Sequence, residues 1–329
     1  MERREFIAVL GGAVAALPTG AFAQRSAGRP LVGVLTPQSL AGSSRNIAAM
    51  RAGLRDAGFV EGQGVWLEFR YADGEIARLA ALAAELVALN PDVIFAGSAP
   101  ALIATANATK TIPVVMNTFV DPIALGVVKD LAKPGGNVTG ILTGGGTDAL
   151  TGKRLSLLKQ VVPSLSRVGV MIASGDATDA IMLPLLPAAT SALGLTYRVF
   201  EVGESTKLDS AFMEAARDGL QGLFINQNPY FFSRRVEVAA LAARARLPAI
   251  YGFREHAEVG GLMSYGSNLA EAYRQGARLI AKILKGTNPA EIPVEQADRF
   301  ELVVNNKTAR TLGLKISEAF LVNADEVIE

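Results

Sequence analysis

Short apolar runs of strand character alternate with helical segments along this sequence. Four such runs occupy residues 31–35, 65–70, 92–96 and 112–116, and a strongly helical Ala/Leu segment lies at 76–89. Parallel neighbours in a sheet need a crossover connection, which is usually a helix. The alternation therefore predicts βαβ units and a parallel sheet.

The same order of elements then recurs. Val-Gly-Val-Met at 168–171 repeats Val-Gly-Val-Leu at 32–35, and Leu-Gly at 193–194 repeats Ala-Gly at 57–58, both at an offset of 136 residues. Further strand-like runs follow at 196–201, 222–225 and 247–250. Loose recurrence occurs in any α/β protein, but the shared offset favours a duplication. We predict two similar α/β lobes of ordinary domain size.

The remainder of the chain extends past the second repeat. It contains a strand-like run at 262–265, an amphipathic helical segment ending near Leu284, and another strand-like run at 300–305. A tail that supplies elements to both lobes requires several chain crossings. The predicted fold class is thus α/β, with two Rossmann-like lobes, parallel sheets and a multi-crossing hinge.

We expect the first lobe to comprise residues 30–142 plus 253–288, and the second lobe 143–252 plus 289–329. The glycines at 144–146 lack the spacing of either common phosphate-binding loop, so a flexible crossing between the lobes is the better explanation.

Composition excludes several kinds of function. The 329 residues contain no cysteine and one histidine, which excludes thiol catalysis, disulfides, lipid attachment through an N-terminal cysteine and zinc sites built on two or three histidines. The net charge is +1 and no basic stripe stands out, so the electrostatic pattern expected of a nucleic-acid-binding protein is missing. We expect no enzyme activity and no cofactor. His256 lies in a polar stretch and is predicted to be an ordinary surface or hinge residue.

The N-terminus has the pattern of an export signal. Arg3 and Arg4 precede an apolar run at 7–17 and an Ala-Phe-Ala at 21–23. A twin-arginine signal and a general secretion signal fit equally well, and we expect cleavage after Ala23 in both cases. The apolar run is shorter than the ~20 residues of a membrane span. The mature protein is expected in the periplasm without stable membrane insertion.

Candidate binding residues follow the predicted strands. Ligands bind beyond the carboxyl ends of strands in open parallel sheets, and the helix N-termini there offer unpaired N–H groups. The residues at these tips are mostly polar, with apolar or aromatic walls. The candidate ligand-binding residues are Thr36, Gln38, Ser98, Ala99, Asp121, Ser174, Asn226, Asn228, Phe253 and Arg254.

Individual candidates also have structural explanations. Asp121-Pro122 and Asn228-Pro229 are common at turns and helix starts, and Ser98 suits a helix N-cap. Arg254 suits a surface ion pair with a neighbouring glutamate, which contributes ~0–1 kcal/mol. The sequence leaves these alternatives open, and the set is more informative than any member.

Several motifs of the sequence are specific when they are taken together. They are AGFVEG at 57–62, NPDVI at 90–94, ATKTIPVV at 108–115, VDP at 120–122, KPGGNVTG at 133–140 and the tail at 302–314. Together they resemble a known family, the ABC transporter substrate-binding proteins with the type I periplasmic-binding-protein fold, related to tryptophan- and phenylalanine-binding members. The resemblance implies binding without catalysis, an ABC permease as partner, and three crossings that form the hinge.

Two positions depart from the amino-acid-binding members of that family. A Thr-Pro-Thr at their third-strand tip falls here on Ala99-Pro100-Ala101, and an Asp-Asn in their second lobe falls on Asn228-Pro229. Both departures remove groups that hold the ends of an amino acid. The expected ligand is a small organic solute, which includes amino acids, aromatic acids and neutral molecules, with Arg254 as a partner for a carboxylate. A ligand-sensing module for a membrane receptor and a cofactor-dependent exported enzyme are the alternative functions.

Overall fold

The computed structural model describes residues 28–144, 147–203, 207–297 and 299–329. The predicted signal peptide, residues 1–23, lies outside the described residues. In the part of the chain that is described, no helix is both long and apolar enough to cross a membrane.

The first stretch of chain alternates strands and helices as predicted. Its elements are β1 (Leu31–Thr36), α1 (Leu40–Asp56), β2 (Trp66–Tyr71), α2 (Leu79–Ala88), β3 (Val93–Ala96), α3 (Ala99–Ala108), β4 (Val114–Thr118) and β5 (Val138–Leu142). Local sequence sets the helix ends. The Ser39 side chain accepts the backbone N–H of Gly42 at the start of α1, and Gly58 has a φ of 93° just after its end.

The second stretch repeats the alternation with shorter helices. Its elements are α4 (Thr147–Val161), β6 (Arg167–Ala173), α5 (Ala177–Met182), α6 (Leu186–Ser191), β7 (Thr196–Val202), α7 (Leu208–Arg217), β8 (Gly222–Ile225), α8 (Pro229–Ser233), α9 (Arg235–Arg244), β9 (Ala249–Tyr251), α10 (Arg254–Glu258) and β10 (Met263–Ser267).

The last stretch returns to the first lobe and then to the second. Its elements are α11 (Leu269–Leu284), β11 (Glu295–Gln296), β12 (Phe300–Asn305), α12 (Asn306–Thr311), α13 (Glu318–Leu321) and β13 (Glu326–Ile328).

Two separate sheets form the centres of the two lobes. The first has the order β11-β5-β4-β3-β1-β2 and the second β13-β12-β10-β9-β8-β6-β7. All neighbours are parallel except β10 and β12. The run β4-β3-β1-β2 in the first sheet matches β9-β8-β6-β7 in the second, as expected from the recurrence in the sequence. The predicted fold class, with two α/β lobes and parallel sheets, is confirmed.

The sheet pairing corrects the predicted lobe boundaries. Residues 253–267 belong to the second lobe, because Met263 pairs with Ile250 of β9 and with Val304 of β12. Residues 289–296 belong to the first lobe, because Glu295 pairs with Ile141 of β5. The chain therefore crosses between the sheets after β5, after β10 and after β11.

Apolar side chains cover both faces of each sheet. In the first lobe one core contains Leu86 and Ile94 on one face, and another contains Val34 and Ile280 of α11 on the other. The second lobe likewise has two cores. A fifth, small cluster of Phe119, Phe232, Phe253 and Leu269 lies at the boundary between the lobes.

His256 is a core residue, so the prediction of a surface or hinge position is wrong. Its side chain is buried and its ring stacks on Tyr251, with centroids 4.6 Å apart. Nε2 lies 3.2 Å from the carbonyl oxygen of Phe231. Burial lowers the pKa of His256 to about 4, which keeps the imidazole neutral at physiological pH.

Gly140 provides a test of the close packing in the first sheet. This residue of β5 has a φ of 147°, and an added Cβ would lie 2.1 Å from the carbonyl oxygen of Met116 on β4. We expect Gly140→Ala to lower the free energy of unfolding by at least about 2 kcal/mol, through overpacking and an unfavourable φ. Denaturant unfolding measures the effect.

Gly136→Ala is the matched control, because a Cβ there meets no atom within 4 Å. It should change the free energy of unfolding by less than about 0.5 kcal/mol. Equal stability of the two variants would contradict the close approach of β5 to β4.

Candidate ligand-binding site

The carboxyl ends of the two sheets face each other across the lobe boundary. Phe119 follows β4 in the first lobe and Phe253 follows β9 in the second, and their rings meet edge to face with centroids 6.3 Å apart. Phe232 of α8 packs against Phe253 at 5.0 Å. The strand ends of both lobes therefore enclose one shared interior region.

The rims of the lobes also touch outside this region. Arg45 of α1 forms an ion pair with Glu258 of α10, with Nη1 and Oε1 2.7 Å apart. At a second point, a Cβ added to Gly74 would lie 3.1 Å from Cβ of Ser233. The structure is thus a closed form. An exposed ion pair contributes only ~0–1 kcal/mol, so these contacts alone favour closure weakly.

On the first lobe, four of the sequence candidates lie buried at the strand ends. Thr36 is at the end of β1, and its hydroxyl donates a hydrogen bond to Oε1 of Gln38. Ser98 caps α3 by accepting the backbone N–H of Ala101 at 3.1 Å, and Ala99 begins that helix. These residues form a mostly polar wall with little exposure in the closed form.

On the second lobe, Asn226 and Asn228 are buried and linked through Asp179 of α5. The amide of Asn226 donates to Oδ1 of Asp179, and the amide of Asn228 donates to Oδ2 at 3.2 Å. The backbone N–H of Ala173, at the end of β6, donates to Oδ2 at 2.8 Å. Asn228 also caps α8 through Phe231. Asp179 thus organises the tips of two neighbouring strands.

Burial raises the pKa of Asp179 to about 7. The hydrogen bonds from the two asparagines and Ala173 act in the opposite direction, because they favour the ionised carboxylate, and the charge of nearby Asp176 adds to the increase. This carboxyl group therefore changes its charge near neutral pH. The sequence analysis did not select Asp179, because nothing in the local pattern distinguishes it from a surface residue of α5.

Two candidates are exposed rather than enclosed. Asp121 accepts the backbone N–H of Ile123 at 2.8 Å and so stabilises a surface turn. Ser174 lies exposed after β6. Because both residues are exposed in this closed form, we do not retain them in the candidate site.

The prediction that Arg254 binds a ligand carboxylate is also corrected, because the protein already neutralises the charge of this residue. Its guanidinium forms ion pairs with Glu258 at 2.9 Å, with Glu301 at 2.9 Å and with Glu326. Three carboxylates surround one cation, which leaves no net positive charge for a ligand. Glu258 is one of the two neighbouring glutamates that the sequence suggested, the other being Glu255. Glu301 and Glu326 come from the C-terminal strands, which the sequence did not place here.

A small cavity of about 20 Å³ remains between the lobes. Phe119, Val120 and Gly144 line it from the first lobe and the crossing, and Arg154, Asn226 and Gln227 are among the residues that line it from the second lobe. The sequence analysis missed Arg154 and Gln227. Arg154 had a detectable signal, since it occupies the apolar face of α4 between Leu150 and Leu158.

This architecture is that of a two-lobed binding protein, and the comparison with known families agrees. The sequence model of the family described as "ABC transporter substrate binding protein" matches residues 32–328. The chain belongs to this family of ABC transporter substrate-binding proteins. The description of the family is that of a binding protein rather than an enzyme.

Individual relatives agree with this assignment. A tyrosine-binding protein of Clostridioides difficile (strain R20291) is 28% identical over 267 residues, which is 80% of this chain and 74% of that protein. An ABC domain from Streptococcus pneumonia, solved in complex with L-Trp, has a TM-score of 0.82 and 27% identity, covering 92% of this chain and all of that one. A conserved domain protein from Vibrio cholerae has a TM-score of 0.84 and 26% identity, covering 91% and 100%.

The carboxyl group of Asp179 makes the stability of this substrate-binding protein pH-dependent. A raised pKa means that the folded state favours the protonated acid, so the stabilisation is complete below about pH 4 and is lost as the pH rises through about 7. Asp179→Asn removes this titration. We expect the free energy of unfolding of the wild type, relative to the variant, to decrease by about 1–3 kcal/mol between pH 5 and pH 8.

Urea unfolding of the wild type and of Asp179→Asn between pH 5 and pH 8 gives the difference between their free energies of unfolding as a function of pH. His256 titrates with the opposite sign, but it is present in both proteins and cancels. The new amide faces donor groups from Asn226 and Asn228, which adds a penalty that does not depend on pH. A flat difference curve would show that Asp179 does not titrate as proposed.

Proposed function

We propose that this protein is the extracytoplasmic solute-binding component of an ABC importer. It captures a small organic solute between its lobes by hinge closure and delivers it to a membrane permease. The observation that carries this proposal is the shared interior at the lobe boundary, where buried residues from the strand ends of both lobes meet. Family membership and the tyrosine- and L-Trp-binding relatives support it.

The size of the interior supports an opening step. The cavity between the lobes is about 20 Å³, which is about the space that one water molecule needs. A solute of amino-acid size cannot enter this closed form, so the lobes must separate first. Closure is then driven by contacts that the solute makes only when both lobes reach it, since equal affinity for both forms shifts nothing.

The proposed binding residues come from both sides of the boundary. Their polar groups and the aromatic ring would orient a small solute and cover its apolar face. On the first lobe they are Thr36, Gln38, Ser98 and Ala99, and on the second lobe Asn226, Asn228 and Phe253.

The proposed function also requires that the protein is exported from the cytoplasm. We propose that residues 1–23 direct the protein to the periplasm and are removed after Ala23. The mature protein isolated from the periplasm should begin at Gln24, which intact mass measurement checks. A protein recovered from the cytoplasm with residues 1–23 still attached would contradict periplasmic function.

A thermal-shift screen tests the binding function directly. The panel should contain amino acids, aromatic and aliphatic acids, their amides, and sugars. A compound that binds only the folded protein raises the melting temperature, with a gain of ~2.7 kcal/mol at a concentration of 100 Kd. We expect one chemical class to raise it. No effect from any class would count against the proposed function.

A reversible lock tests hinge closure. The chain has no cysteine, so Gly74→Cys with Ser233→Cys introduces a single pair. Their Cβ atoms would lie about 3.1 Å apart in the closed form, near the range that a disulfide requires. The positive φ of Gly74 costs about 1–2 kcal/mol. The oxidised double variant should exclude the compound found in the screen, and the reduced form should bind it.

Each single cysteine variant serves as the control and should bind the compound under both conditions. Equal binding rates for the oxidised and reduced double variants would show that the solute enters without separation of the lobes.

A further inference from the structure

Arg154 is a buried cation that has no carboxylate partner among the residues that the structure describes. It lies on α4 with 4% exposure, among the apolar residues of the second lobe. Its Nε donates to the carbonyl oxygen of Tyr265 at 2.7 Å, and its Nη2 donates to Oε1 of Gln227. Both acceptors are neutral. In the part of the chain that the structure describes, Arg154 forms no ion pair.

Such an arrangement is costly for a folded protein. Transfer of an ion out of water costs several kcal/mol, and neutral acceptors repay only part of this. Burial lowers the pKa of Arg154 to about 10, so the guanidinium remains charged at neutral pH. Arg254 shows the contrasting case on the same lobe, because three glutamates neutralise it. Arg154 therefore differs from Arg254 in having no counter-charge among the described residues.

Gln227 contributes a second unused donor next to Arg154. Its Nε2 is buried and has no hydrogen-bond partner, while its Oε1 accepts from the guanidinium. Its position is confined, because a Cβ added to Gly252 would lie 2.6 Å from Cβ of Gln227. Arg154 and Gln227 both line the cavity between the lobes. One positive charge and one neutral N–H donor thus lie beside this cavity, which Asn226 of the proposed binding site also lines.

We propose that the transported solute carries a carboxylate, which Arg154 and Gln227 bind in this cavity. This inference rests on the proposed function and specifies its substrate class. A carboxylate is planar and matches the donor fork of an arginine, and a single buried cation balances its single charge. A ligand carboxylate would supply the counter-charge that Arg154 lacks, and would do so only when the lobes enclose it.

The direct test compares carboxylic acids with the amides of the same skeletons. Matched pairs include phenylacetate with phenylacetamide, benzoate with benzamide, and L-tyrosine with L-tyrosinamide. We expect an acid, and not its amide, to raise the melting temperature of the wild type. Arg154→Gln should weaken the binding of that acid at least roughly 30-fold by isothermal titration calorimetry. Arg154→Lys keeps the charge and should recover part of the affinity.

Arg167→Gln is the matched control, because Arg167 is exposed at the start of β6, at the opposite end of the strand from its carboxyl end. It should bind the acid as the wild type does. An equal loss of affinity in both variants would indicate a general effect of charge and would overturn the assignment of Arg154.

A second variant tests the missing counter-charge without any ligand. Gln227→Glu is nearly isosteric and loses no hydrogen bond, because Nε2 of Gln227 makes none. The new carboxylate would face the guanidinium of Arg154. We expect this variant to melt at a higher temperature than the wild type and to reject the acid. A lower melting temperature would show that Arg154 is already balanced and would overturn the inference.

The outcomes separate this inference from the proposed function. If a neutral compound or an amine binds the wild type and Arg154→Gln equally well, the binding function stands and the carboxylate assignment fails. If no compound of any class binds, both fail.

Discussion

Three short segments connect the lobes, and hydrogen bonds hold these segments side by side. The hydroxyl of Ser267 donates to the carbonyl oxygen of Thr143 at 2.6 Å, and the backbone N–H of Ala297 donates to the carbonyl oxygen of Leu142 at 2.9 Å. We propose that the three crossings, which lie together, let the lobes rotate about them with little freedom to slide. On this proposal the strand ends return to the same opposing positions each time the lobes close, and every part of the proposed site depends on that alignment.

Most of the fold was predictable because its signals are local. Strand runs, helix ends and the recurrence of both along the chain follow from side-chain pattern and chain stiffness. The lobe assignment of residues 253–267 was not predictable in this way. The strand-like run at 262–265 suits an inner strand of either sheet, and only the pairing of β10 with β9 and β12 assigns it to the second lobe. The local sequence of a strand does not reveal which distant strands it pairs with.

Some residues of the site were also predictable from local patterns, whereas others were not. Ser98 and Asn228 were identifiable because a strand end followed by a helix cap is a local pattern. The role of Arg254 was not, because its partners Glu301 and Glu326 lie 47 and 72 residues away. Arg154 did leave a signal, a cation on an otherwise apolar helix face. Arg254 is thus neutralised within the protein, whereas Arg154 forms no ion pair among the described residues, and this difference depends on tertiary structure.

The separation and closure of the lobes is the central claim, and the distance between them measures it most directly. Spin labels can be attached at Arg55→Cys in α1 and Arg217→Cys in α7, because the natural sequence contains no cysteine that would also react. Both positions are exposed on helices, and the two helices belong to opposite lobes. Double electron–electron resonance should show a longer or broader distance distribution without solute, and a single shorter distance with a compound that raises the melting temperature. The same distribution with and without that compound would contradict hinge closure.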